Sequence, residues 1–137
     1  MLSTRQRCAI MVATLLLALP SVQGCGTNPV SPGKDLQVAN AADNFQFQVT
    51  DLKNYTATYQ YAWTNTGTAA SANQASAITG GTAVLVIRDN AGAQVYSRSL
   101  AENGTFDTTA GITGTWAIIV VTNKASGTLN FRVQKKP

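Results

Sequence analysis

Large apolar and polar side chains alternate with period two through most of this chain, and no window shows sustained helical spacing. That pattern restricts the fold to β structure. Phe45, Phe47 and Val49 alternate with Gln46, Gln48 and Thr50. Tyr55, Ala57, Tyr59, Tyr61 and Trp63 form one face of a longer run whose other face is Thr56, Thr58, Gln60, Ala62 and Thr64. Leu129, Phe131 and Val133 repeat the pattern against Thr128, Asn130, Arg132 and Gln134. Each segment reads as a half-buried strand with its apolar face on a core.

Two further runs, Ala83 to Ile87 and Trp116 to Val121, are apolar on both faces. They predict strands covered on both sides, or strands whose outer face meets a partner. Turn chemistry separates the segments: Asp89-Asn90-Ala91-Gly92 predicts a hairpin to Val95-Tyr96, and Lys124-Ala125-Ser126-Gly127 predicts a turn between the Trp116 strand and the last one. The uncharged Ala/Ser/Thr/Gly-rich stretch from Asn65 to Gly81 is long for a structureless loop, and a short small-residue strand near Ser71–Ala77 is expected within it. The sum is an all-β chain, a small antiparallel β-sandwich of seven or eight strands, jelly-roll or immunoglobulin-like, over residues 44–137.

Composition narrows the chemistry. There is no His among the 137 residues and Glu102 is the only Glu, which removes His-based catalysis, His-ligated zinc and most paired-carboxylate mechanisms. Ser31-Pro32-Gly33-Lys34 matches Ser-x-x-Lys in letters, but a Pro-Gly centre provides no helix to aim the lysine at the serine. Asp89, Asn90 and Gly92 are residue types of a calcium loop and equally of a metal-free hairpin turn. The expectation is a chain that is not an enzyme and has neither metal nor cofactor. The sequons Asn54-Tyr55-Thr56 and Asn103-Gly104-Thr105 are read as accidental.

Residues 1–24 have a different character. Arg5 and Arg7 precede an apolar run from Cys8 to Leu19, interrupted by Thr14 and followed by Pro20, the layout of a secretory signal helix and too short for a permanent span. The segment Val22-Gln23-Gly24-Cys25 at its end resembles the lipobox of bacterial lipoproteins, although that family usually has Leu where this chain has Val22 and a small residue where it has Gln23. The resemblance implies cleavage before Cys25, lipidation of its thiol and a membrane partner. It also implies outer-membrane residence in a diderm host, because residue 26 is Gly and not the Asp of the retention signal. The alternative is ordinary cleavage after Gly24 and a secreted protein. With Cys8 removed, Cys25 has no intramolecular partner, so no structural disulfide is expected. Residues 25–43, with two Pro and two Gly in Gly26–Asp43, predict a flexible tether.

Loss of Arg5 and Arg7 would lower the net charge from +4 to +2, which weakens any case for nucleic acid. Arg132, Lys135 and Lys136 make only a small C-terminal cluster, read as a solvated end. Gly114-Thr115-Trp116 with Gly127, Phe131 and Val133 resembles the last hairpin of small bacterial pre-peptidase C-terminal β-sandwich domains, a likeness of about 25 residues that implies fold and compartment and no functional residue. The expected function is therefore a lipid-anchored, non-catalytic accessory or interaction module of the cell envelope, with an envelope protein or a glycan as partner. The alternative is an extracellular carbohydrate-binding module. Its candidate ligand-binding residues are Tyr55, Tyr59, Tyr61 and Trp63, whose rings combine apolar area with a polar edge; the competing reading makes the same face core.

Overall fold

A computed structural model describes residues 29–137, so residues 1–24, read as a secretory signal, and Cys25 lie outside the described residues. Seven strands run β1 (Ser31–Ala41), β2 (Asn44–Asn65), β3 (Ala70–Gln74), β4 (Ala77–Arg88), β5 (Gln94–Ser99), β6 (Gly104–Asp107) and β7 (Gly114–Lys135). All pairings are antiparallel. β2 and β7 have 22 residues each and pair from Asn44↔Gln134 to Asn65↔Gly114. Straight, such a ribbon would be about 70 Å long, twice the width of a domain this size. It therefore bends in the middle, and its two halves close face to face as the layers of a sandwich.

One layer holds the first half of β2 and the second half of β7, flanked by β1 on one side and by β3 and β6 on the other. The other layer holds the remaining halves, with β4 and β5 beside β7. Between the layers Phe47 meets Tyr59 edge-on at 5.1 Å, and Phe45 meets Tyr61 at 5.4 Å. These contacts join residues of a single strand across the fold. Phe131 stacks beside Phe47 at 5.2 Å, and Trp63 lies edge-on to Trp116 at 6.0 Å. Leu85, Ile87, Ile118 and Val120 fill the rest of the interior. Both indole nitrogens are satisfied, Trp63 Nε1 donating to the Ala41 carbonyl at 3.0 Å and Trp116 Nε1 to that of Ile112 at 2.7 Å.

The bend is made by bulges. From Val49 to Leu52, and again from Leu52 to Tyr55, β2 advances three residues while β7 advances two; from Tyr55 to Ala57 the excess passes to β7. Two successive insertions restore the phase of β2, so its core positions stay odd-numbered on either side of the bend. β7 changes phase, and its core positions switch from Trp116, Ile118 and Val120 to Leu129, Phe131 and Val133. Asp51, Asn54 and Lys124 take positive φ, as do Gly81 and Gly127. The corner is stitched by side chains: Ser126 Oγ accepts from the Asn54 amide at 3.0 Å, and Thr122 Oγ1 accepts from that of Ala57 at 2.8 Å.

Several expectations change accordingly. The all-β sandwich is present and the Asp89–Gly92 hairpin joins β4 to β5, but Lys124–Gly127 does not reverse the chain: it is a bulge inside one continuous strand. The segments 45–49 and 55–63 are likewise one strand. The tether expected over residues 25–43 is strand β1 from Ser31 onward, because Lys34 and the run from Gln37 to Ala41 find hydrogen-bonding partners along β2. β3 occupies the place of the expected small-residue strand. The doubly apolar runs are covered on one face only: Ala83, Leu85 and Ile87 are buried, while Val84 and Val86 point outward beside Ile119 and Val121, shielded only by their neighbours in the sheet.

Gly81 has φ +67, and a Cβ there would collide with the Lys124 carbonyl, whereas a Cβ on Gly80 would meet Ser126 Cβ at an ordinary 3.7 Å. Gly81→Ala is expected to lower the unfolding free energy by about 2–4 kcal/mol, and Gly80→Ala to change it by less than about 1 kcal/mol, in urea denaturation.

Candidate functional site

The aromatic stripe of β2 turns inward. Trp63 is 1% exposed and cannot stack on a ligand. Tyr55, Tyr59 and Tyr61 are half-buried, packed on the core at the rim of the sandwich, and burial raises the phenol pKa of Tyr59 and Tyr61. The rings that would have formed a flat platform are thus spent on the contacts between layers, which corrects the placing of a ligand on Trp63. Cys25 lies outside the described residues.

The Asp89 turn is also structural. Asp89 Oδ2 accepts from the Ile112 amide at 2.8 Å, and Oδ1 accepts from Ala93 at 2.9 Å and Ala91 at 3.0 Å. The donation from Ile112, then those from the turn, hold its carboxyl below the usual carboxylate range. Its lone pairs thus pin the segment before β7 onto the hairpin. Among the described residues no group of three or more acidic or cysteine side chains is placed to hold a metal ion.

A second buried polar group links the sheet halves. Gln74 is 1% exposed; its Nε2 donates to the carbonyls of Ser99 and Glu102, and its Oε1 accepts from the Tyr96 hydroxyl at 2.7 Å. Burial pushes the Tyr96 phenol up to about 12. A neutral phenol is thus favoured in the fold, and that contribution is lost as pH rises from 10 through 12. The network fixes the geometry between β3 and β5 without assigning chemistry.

What is open to a ligand is the outer face of the first layer. Because Phe45, Phe47 and Phe131 point in, Gln46, Gln48, Asn130 and Arg132 point out, and pairing aligns Gln37–Gln48–Asn130 in one row and Ala39–Gln46–Arg132–Asn73 in the next. A shallow depression of about 420 Å³ lies over Leu36, Gln37, Val38, Ala39, Gln46, Gln48 and Asn130. A smaller one of about 120 Å³ adjoins it over Asn73, Ala75 and Arg132, sharing Gln46 and Asn130. With its amide oxygen toward the guanidinium, Gln46 accepts from Arg132 Nε at 2.8 Å and Nη2 at 2.6 Å. Such a surface offers paired donors and acceptors to hydroxyl groups, and one fixed cation to an acid. Composition could not single it out, because the amides acquire meaning only when strand pairing sets them side by side.

No protein family, curated protein or solved structure matches this chain. Asp89→Ala is expected to lower the melting temperature, and its deficit should shrink as pH falls below about 4, where the unfolded parent chain takes up a proton that the folded carboxyl still resists. Millimolar calcium should leave the parent's melting temperature unchanged.

Proposed function

We propose that the protein is a lipid-anchored, non-catalytic binding module of the bacterial cell envelope, held to its membrane through Cys25. The observation that carries this reading is Val22-Gln23-Gly24-Cys25 at the end of a basic and then apolar N-terminal segment. Cys8, the only other cysteine, would leave with that segment, so a thioether-linked lipid accounts for a thiol otherwise without a partner. Two or more acyl chains, at about 0.8 kcal/mol per buried CH₂, give the stable anchoring that one chain does not. Gly26 favours the outer membrane of a diderm host. In intact-mass measurement of the protein made in a bacterial host, the expected species begins at Cys25 and carries added acyl mass that Cys25→Ser abolishes. A chain beginning at Cys25 without added mass would overturn the anchor.

The amide-lined depression supports a second reading, that the module takes a glycan. The ligand surface is then the outer face of β1, β2 and β7 rather than the aromatic stripe. Planar amides suit vicinal hydroxyls, and Arg132 suits a sugar carboxylate. Gln48→Ala and Arg132→Ala are each expected to weaken binding to an acidic polysaccharide at least about tenfold, as loss of one charged or bidentate hydrogen-bonding group would. Equal retention of parent and variants on a polysaccharide column would count against this surface.

A further inference from the structure

We infer that the bulged corner of the sandwich is the end that rests on the membrane, with its uncompensated lysines against anionic phospholipid headgroups. The inference builds on the proposed anchor at Cys25. It starts from a hydrogen bond: the Pro29 carbonyl accepts from Asn54 Nδ2 at 2.9 Å, which ties the chain to the corner before β1 begins. Ser31 then pairs with Lys53. Pro29 is only four positions after Cys25, and even fully extended that length of chain reaches no more than about 14 Å. An acylated Cys25 thus keeps Pro29, and the corner with it, within that distance of the headgroups.

The opposite end cannot take this place. From Gly81 at the corner, β4 continues seven residues to Arg88, about 24 Å along the strand. A domain standing on its Asp89 hairpin would lift Pro29 beyond the reach of its own anchor. What remains is a domain standing on its corner or lying on a side, and the unpaired lysines beside the point where the tether enters favour the corner. Lys53 and Lys124 are exposed there, and among the described residues neither takes part in an ion pair. Lys34 stands with them, 3.4 Å from Asp51. At the far end Lys135 lies 3.3 Å from Asp43 and Lys136 bonds Asp107; Arg88 and Arg132 have no carboxylate partner among the described residues, but the short reach from Cys25 to Pro29 holds that end away from the headgroups. Each basic side chain near an anionic leaflet favours contact by a factor of about five, enough for two lysines to bias an anchored domain that is already confined.

The test places one reporter at each end of the full-length protein made in a bacterial host. Thr79→Cys lies at the corner and Ala91→Cys in the distal hairpin, both exposed; each is labelled with a fluorophore. The acylated proteins, verified by intact mass, are reconstituted in phosphatidylethanolamine/phosphatidylglycerol vesicles carrying a headgroup nitroxide quencher. The label at residue 79 should be quenched several-fold more than the label at 91, and Lys53→Gln with Lys124→Asn should reduce that difference. Ten Gly/Ser residues inserted between Gly26 and Thr27 should reduce it too. Equal quenching at both positions in a protein that carries its acyl chains overturns the orientation and leaves the anchor standing. A protein without acyl mass overturns both.

Discussion

Antiparallel pairing of β2 with β7 through a bend is the constraint on which the rest of this protein depends. The two strands keep one register partner after another for their whole length, yet a domain of about 110 residues is too small to hold them straight. Bulges reconcile the two demands, because an extra residue turns the ribbon without ending its ladder. β4 follows the same turn beside β7, with register shifts flanking Gly80 and Gly81 at the Ala77 carbonyl's approach to Gly127. The layers of the sandwich are therefore covalently continuous at the corner, and no loop has to cross there.

The bend also selects the core. Phe45 and Tyr61, sixteen positions apart on one strand, meet only because the ribbon closes. Large aromatics occupy the interlayer space, and each buried ring contributes about 1.5–3 kcal/mol by removal from water. The same closure sends the amides of Gln46, Gln48 and Asn130 outward, so that the aromatic residues serve stability and the amides are the groups left to meet a ligand. Buried side-chain polar groups are paired, with Arg98 Nε the exception among the described residues. Gln74 is satisfied by Tyr96 and two carbonyls, and Asn65 by Gly67 and Ala69.

Both ends of the sandwich carry exposed cations, some paired with carboxylates and some not. At the far end carboxylates pair with Lys135 and Lys136 while Arg88 and Arg132 have none among the described residues, and the Asp43 carboxyl is held below its usual range by donations from Thr66, with Lys135 adding to them. At the corner Lys34 pairs with Asp51, and Lys53 and Lys124 face solvent with no ion pair among the described residues. Exposed pairs contribute little to stability, so these charges matter for orientation near a charged surface rather than for the fold.

The sequence by itself determined the class of structure. Alternation in Phe45–Val49, Tyr55–Trp63 and Leu129–Val133 commits those residues to strands with one buried face, because a strand's side chains project with period two wherever it lies. It also determined the positions where the backbone must deform, since Asn54, Lys124 and Gly127 fall where the local chemistry breaks the alternation. Whether such a break reverses the chain or bends a continuous strand is decided elsewhere. Lys124–Gly127 resembles a turn in letters, and it is a bulge because β2 continues to pair on the other side. β1 likewise had no local signal: Ser31–Ala41 opens on Pro32-Gly33 and has few large apolar residues, and it is a strand because the edge of β2 offers hydrogen bonds. The candidate surface was hidden for the same reason. Amides spread over β1, β2, β3 and β7 have no pattern in sequence, and only the tertiary structure, by aligning strands far apart in the chain, brings them onto one face.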